Sequence, residues 1–128
     1  MPHFEIHASD TAAAREFYSG LFGWSFDAMP GFEEMEYFLI SGPGIESPLT
    51  GGLMKRMGDT PEAGAPVRGC TLTFEVADCD ERYGWALENG GAEALPPTDF
   101  PGVGRAAYVE DGQGNIVGFL TPAADGGA

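Results

Sequence analysis

Residues 3–24, HFEIHASDTAAAREFYSGLFGW, decide the fold. From 3 to 8 the chain alternates. Phe4, Ile6 and Ala8 point one way and His3, Glu5 and His7 the other, the period of two that marks a half-buried strand. Asp10 then offers a side-chain oxygen to the free amides of a new helix. Ala14, Phe17, Tyr18, Leu21 and Phe22 recur at helical spacing and give that helix one apolar face. Gly23 suits a left-handed C-terminal cap. The helix covers one face of the strand, so His3, Glu5 and His7 must face something else.

The rest of the chain repeats this plan. Strands are predicted over 24–29, 36–40 and 50–55, with glycines inside the last that leave room for close approach. Residues 57–68 read as a Gly- and Pro-rich linker. A second strand, 71–76, alternates Leu72, Phe74 and Val76 against Thr71, Thr73 and Glu75. Asp78 caps a second helix, with Glu81 at capping-box spacing and Tyr83, Ala86 and Leu87 as its apolar stripe. Strands follow over 92–95, 105–110 and 116–120, with a Pro-rich loop over 96–104, a turn over 111–115 and a loose tail from 122. The caps Asp10 and Asp78 lie 68 positions apart, as do Gly23 and Gly91, and Phe4-Glu5-Ile6 reads like Phe74-Glu75-Val76. One supersecondary unit is used twice. The fold class is therefore α+β: two tandem βαβββ units, 3–56 and 69–121, in one domain. Helices are expected outside a concave, mostly antiparallel sheet.

Composition narrows the partners. Of 128 residues, 43% are hydrophobic and 20% charged, as in a globular chain. A net charge of −14 repels nucleic acid and anionic membranes and attracts a cationic small molecule. Cys70 and Cys79 lack metal or redox spacing and read as reduced packing residues. No signal peptide or membrane-length apolar run is visible, so a cytoplasmic location is expected. Ser19, Ser25, Ser41 and Ser47 lack the glycine elbow of a catalytic serine. Trp24, Phe26, Phe32 and Phe38 exceed the aromatic needs of one small core, and with open sheet edges they point to a homodimer.

The front stretch, together with YVEDGQGNIVGFL over 108–120, resembles the vicinal oxygen chelate superfamily, which includes glyoxalase I, extradiol dioxygenases and bleomycin-resistance proteins. The resemblance spans residues 3–120. It implies metal ligands on the first and fourth strands of each unit. Those positions hold His3, Thr71 or Thr73, Gly52 and Gly118. Only His3 is a useful ligand, so no metal is expected at the usual site and no cofactor is assigned. The expected ligand pocket comprises His3, Glu5, His7, Tyr37, Gly52, Thr71, Thr73, Glu75, Tyr108 and Gly118, with 99–105 as a rim. The expected function is small-molecule binding of the bleomycin-resistance type. The alternative is a lyase, isomerase or dioxygenase-like enzyme with a non-standard metal, or with Glu5 or Glu75 as a base of raised pKa.

Overall fold

A computed structural model describes residues 3–65 and 71–123. The chain divides into two compact units, Met1–Pro61 and Glu62–Ala128. The first contains β1 (His3–Ala8), α1 (Thr11–Phe22), β2 (Ser25–Ala28), a 3₁₀ turn (Glu33–Met35), β3 (Phe38–Ser41) and β4 (Thr50–Lys55). The second contains β5 (Leu72–Glu75), α2 (Cys79–Glu88), β6 (Ala92–Phe100), β7 (Gly104–Glu110) and β8 (Ile116–Pro122). Each unit holds a four-stranded sheet, ordered β1-β4-β3-β2 and β5-β8-β7-β6. In each, the first and fourth strands pair in parallel and the other neighbours are antiparallel.

Alternation along β1 sets the first unit's two faces. Ile6, Ala8 and Leu53 are buried together with Ala14, Phe17, Tyr18 and Leu21 of α1. Asp10 accepts a hydrogen bond from Ala13 N at 3.0 Å, and Gly23 closes the helix in the left-handed conformation. Trp24 is 2% exposed and stacks on Tyr18 at 5.4 Å and 14°. Its indole N–H donates to Pro43 O at 2.8 Å. This aromatic is thus used inside its own unit, where such stacking adds about 0.5–1.5 kcal/mol beyond burial. Phe32, by contrast, remains 42% exposed.

The second unit is built alike with a thinner helix contact. Asp78 accepts from Glu81 N at 3.2 Å. α2 buries only Cys79 and Ala86, and Leu87, expected on its apolar stripe, is 39% exposed. Cys79 is a free, buried thiol whose pKa burial pushes up. Cys70 lies outside the described residues, as do the last of the linker and positions 124–128. Asp111 is buried and organises the turn before β8, accepting from Gln113 N at 2.7 Å, Asn115 N at 3.1 Å and Asn115 Nδ2 at 2.9 Å.

Several expected boundaries shift. The Pro-rich loop over 96–104 is largely strand, because β6 runs on to Phe100. β6 is an edge strand with register irregularities around Leu95 and Thr98, where a missing proline N–H costs no ladder bond. β8 extends through Pro122, and β3 starts at Phe38 because Glu36 is left-handed, with φ 49°. The repeat also runs in a different register from the one suggested by Phe-Glu-Ile and Phe-Glu-Val. Glu5 pairs with Gly52 and Thr73 with Gly118, so Ile6 corresponds to Phe74. Both are buried, at 7% and 8% exposure. The 68-residue offset of the caps therefore holds through the first strands as well.

Candidate functional site

On the face of β1 away from Ile6 and Ala8, four side chains form a chain of hydrogen bonds. Tyr37 donates its phenolic hydrogen to Glu5 Oε2 at 2.9 Å. Having spent that hydrogen, the Tyr37 oxygen accepts from His3 Nε2 at 2.8 Å. His3 Nδ1 then accepts from Thr50 Oγ1 at 2.7 Å. This network assigns the Nε2–H tautomer to His3. His7 Nε2 lies 3.3 Å from the other Glu5 oxygen. The parallel register explains the cluster, because it aligns His3 with Thr50 and Glu5 with Gly52. Thr50 was missed in the sequence, and the strand pairing is the signal that identifies it.

Gly52 is what lets Tyr37 lie there. A Cβ at this position would overlap the Tyr37 hydroxyl and come within 2.6 Å of its ring carbon Cζ. The second unit has the same arrangement: a Cβ at Gly118 would overlap the Tyr108 ring and reach 2.8 Å from Thr73 Oγ1. Thr73 Oγ1 donates to the Tyr108 hydroxyl at 3.4 Å. Thr71 is half-buried just before β5, and Glu75 is exposed at the strand's end. The expected site residues thus gather as two clusters. His3, Glu5, His7, Tyr37 and Gly52 share the first unit, and Thr73, Tyr108 and Gly118 share the second.

The electrostatics reverse one expectation. Donation from Tyr37, aided by His7, holds the Glu5 carboxyl below its usual range and outweighs the opposing effect of burial. Glu5 is therefore not a carboxylate of raised pKa. Burial, and then the neighbouring Glu5, push the Tyr37 phenol up to about 12. The expected rim, 99–105, borders a separate open cleft of about 310 Å³ in the second unit. Arg105 there is tied to Asp80 at 2.6 Å and Asp99 at 3.0 Å.

Residues 2–43 match the bleomycin resistance protein-like N-terminal family. The chain is 26% identical over 120 residues to the glyoxylase-like protein CFP32 of Mycobacterium tuberculosis, of which it spans 42%. A glyoxalase/bleomycin resistance protein from Albidiferax ferrireducens superposes with a TM-score of 0.66 at 21% identity, covering 96% of this chain and 98% of that one. TnmS3, an antibiotic-binding protein from Streptomyces, superposes with a TM-score of 0.66 at 22% identity, covering 96% and 95%. The chain shares the fold of these glyoxalase/bleomycin resistance and antibiotic-binding proteins.

Whether the chain suits the metal that the resemblance implies depends on its own donors. Both His3 ring nitrogens have protein partners, Nδ1 at 2.7 Å from Thr50 Oγ1 and Nε2 at 2.8 Å from the Tyr37 hydroxyl. The space a longer side chain would need at Gly52 or Gly118 is occupied by tyrosine. Among the described residues, no group of three or more His, Cys, Asp or Glu side chains is disposed to hold a metal ion. What the cluster offers is an ionised carboxylate and a phenol ring beside the exposed Leu39.

Proposed function

We propose that the chain binds a small molecule through the Glu5–Tyr37 cluster, without the superfamily's usual metal, and that its preferred ligand is cationic. The observation that carries this reading is the aromatic cover on both fourth-strand glycines, Tyr37 on Gly52 and Tyr108 on Gly118. An ionised Glu5 beside a phenol ring suits an organic cation, through charge and through the face of the ring. The net charge of −14 would draw such a ligand in. The antibiotic-binding neighbour TnmS3 supports small-molecule binding on this fold. The enzymatic alternative with Glu5 as base is disfavoured, because a carboxylate of lowered pKa is a weaker base. In this reading the protein is a cytoplasmic homodimer.

Calorimetry on chelator-treated protein tests the proposal, with bleomycin as a cationic probe and fosfomycin as an anionic one. Bleomycin should bind, and E5Q should weaken it at least several-fold. Binding that appears only after a divalent metal is restored, or tighter binding of the anion, would refute the reading.

A further inference from the structure

Among the described residues, Glu36 is the one residue other than glycine with a positive φ, at φ 49° and ψ 56°. A side chain there is strained, and such strain persists only where the surroundings impose it. The surroundings are specific. Thr11 Oγ1, on a residue only 3% exposed, donates to Glu36 Oε1 at 2.6 Å. Lys55 Nζ at the end of β4 lies 3.8 Å from Oε2. Glu36 N–H closes the 3₁₀ turn on Glu33 O at 3.1 Å. On the other side of Tyr37, the Arg15 guanidinium sits 4.3 Å above the Phe38 ring. Thr11 and Arg15 are one helical turn apart and share a face of α1. The start of α1 therefore grips both neighbours of Tyr37, while the Tyr37 carbonyl accepts from Met29 N at 2.9 Å.

We propose that Glu36 is the positioning residue of the candidate site: anchored by Thr11 and Lys55 in a left-handed conformation, it delivers the Tyr37 ring across Gly52. This inference rests on the binding reading above and assigns the depth of that site to a residue outside it. A relaxed backbone at 36 would let the ring leave Gly52 and open the space beside Glu5. Glu36 touches no ligand in this account and acts through Tyr37 alone.

The test is a nuclear Overhauser contact between the Tyr37 ring and the Gly52 Hα protons. Three chains are compared: the unmodified protein, Glu36→Gly and Glu36→Gln. Glycine accepts the left-handed backbone without strain but removes both anchors. Glutamine keeps an oxygen for Thr11. The unmodified protein and E36Q should show the contact, and E36G should lose it with the remaining amide spectrum intact. E36G should also change bleomycin affinity at least several-fold. Retention of the contact in a folded E36G overturns the proposal and leaves the binding reading standing. Absence of the contact in the unmodified protein overturns both. If E36G folds poorly, Thr11→Val replaces it, being similar in shape but unable to donate. A weakened contact in T11V supports the proposal, and an unchanged one overturns it.

Discussion

Replacing Tyr37 with phenylalanine removes one oxygen and leaves the ring over Gly52. Two hydrogen bonds are lost, at 2.9 Å to Glu5 and 2.8 Å from His3. In a closed interior a bond to a charged group contributes roughly 1.5–3 kcal/mol and a neutral one roughly 0.5–1.5. Here the His3 and Glu5 side chains are 36% and 40% exposed, so water replaces much of both. We expect Y37F to cost about 1 kcal/mol in total at neutral pH. Its sharper effect falls on Glu5. Donation from Tyr37 is the largest influence lowering that carboxyl from 4.5, so Y37F should raise its pKa. A carboxylate with a depressed folded pKa contributes stability above its unfolded value and loses it as pH falls through the folded one. The stability gap between the two proteins should therefore be full above about pH 4.5 and shrink below it. Urea unfolding at several pH values measures the gap. Carbon-detected titration, with E5Q to assign the signal, follows Glu5 itself. A Glu5 that titrates at the same pH in both proteins, or a gap that widens in acid, would refute the network.

Alkaline unfolding offers a second view of Tyr37: a phenol raised from 10.0 to about 12 contributes stability that is present below pH 10 and lost as pH rises through the folded value. Y37F should therefore lose less stability than the unmodified protein between these limits, and identical profiles would contradict it. Phe17 and Phe119 are 4% and 0% exposed, so F17A and F119A should each cost about 3–5 kcal/mol in denaturant melts. Values under about 1 kcal/mol for both would contradict the fold. Elemental analysis of protein purified without chelator should find no stoichiometric metal; one Zn, Ni, Fe or Mn per chain, lost on His3→Ala, would overturn the binding reading. Light scattering at micromolar concentration should give twice the chain mass, and a single-chain mass that does not rise with concentration would exclude the homodimer.

Much of the fold was readable because local signals agree with one another. The change from period two to helical spacing at Asp10, and its recurrence at Asp78, mark both strand-helix crossings. β4 runs over Thr50–Lys55, where its small and apolar residues suggested. The readings that failed depend on tertiary context. Prolines 96 and 97 look like loop residues until β6 proves to be an edge. Glu36 has no sequence signature for a left-handed backbone, and its side-chain partners, Thr11 and Lys55, lie on distant elements. The similarity of Phe-Glu-Ile to Phe-Glu-Val hid a two-residue slip that only the pairing with Gly52 and Gly118 reveals. At the site, alternation sufficed to group His3, Glu5 and His7. It was silent on Thr50, which needs the parallel register, and on the sign of the Glu5 shift, which depends on where a distant loop places Tyr37.

The two glycine-tyrosine pairs are built differently. Tyr108 stands directly opposite Gly118, whereas the residue opposite Gly52 is Leu39, and Tyr37 reaches across from two positions earlier. Carried into the other half, the Tyr37 position falls on Ala106 and the Tyr108 position on Leu39. The two tyrosines therefore occupy non-equivalent positions of the repeat. Each half lays a ring on a bare backbone, but from a different position. A carboxylate placed at either glycine would meet the ring first, so the ring must move before the new side chain can enter. Ring and glycine thus act as one steric unit, in which neither position can be enlarged without displacing the other.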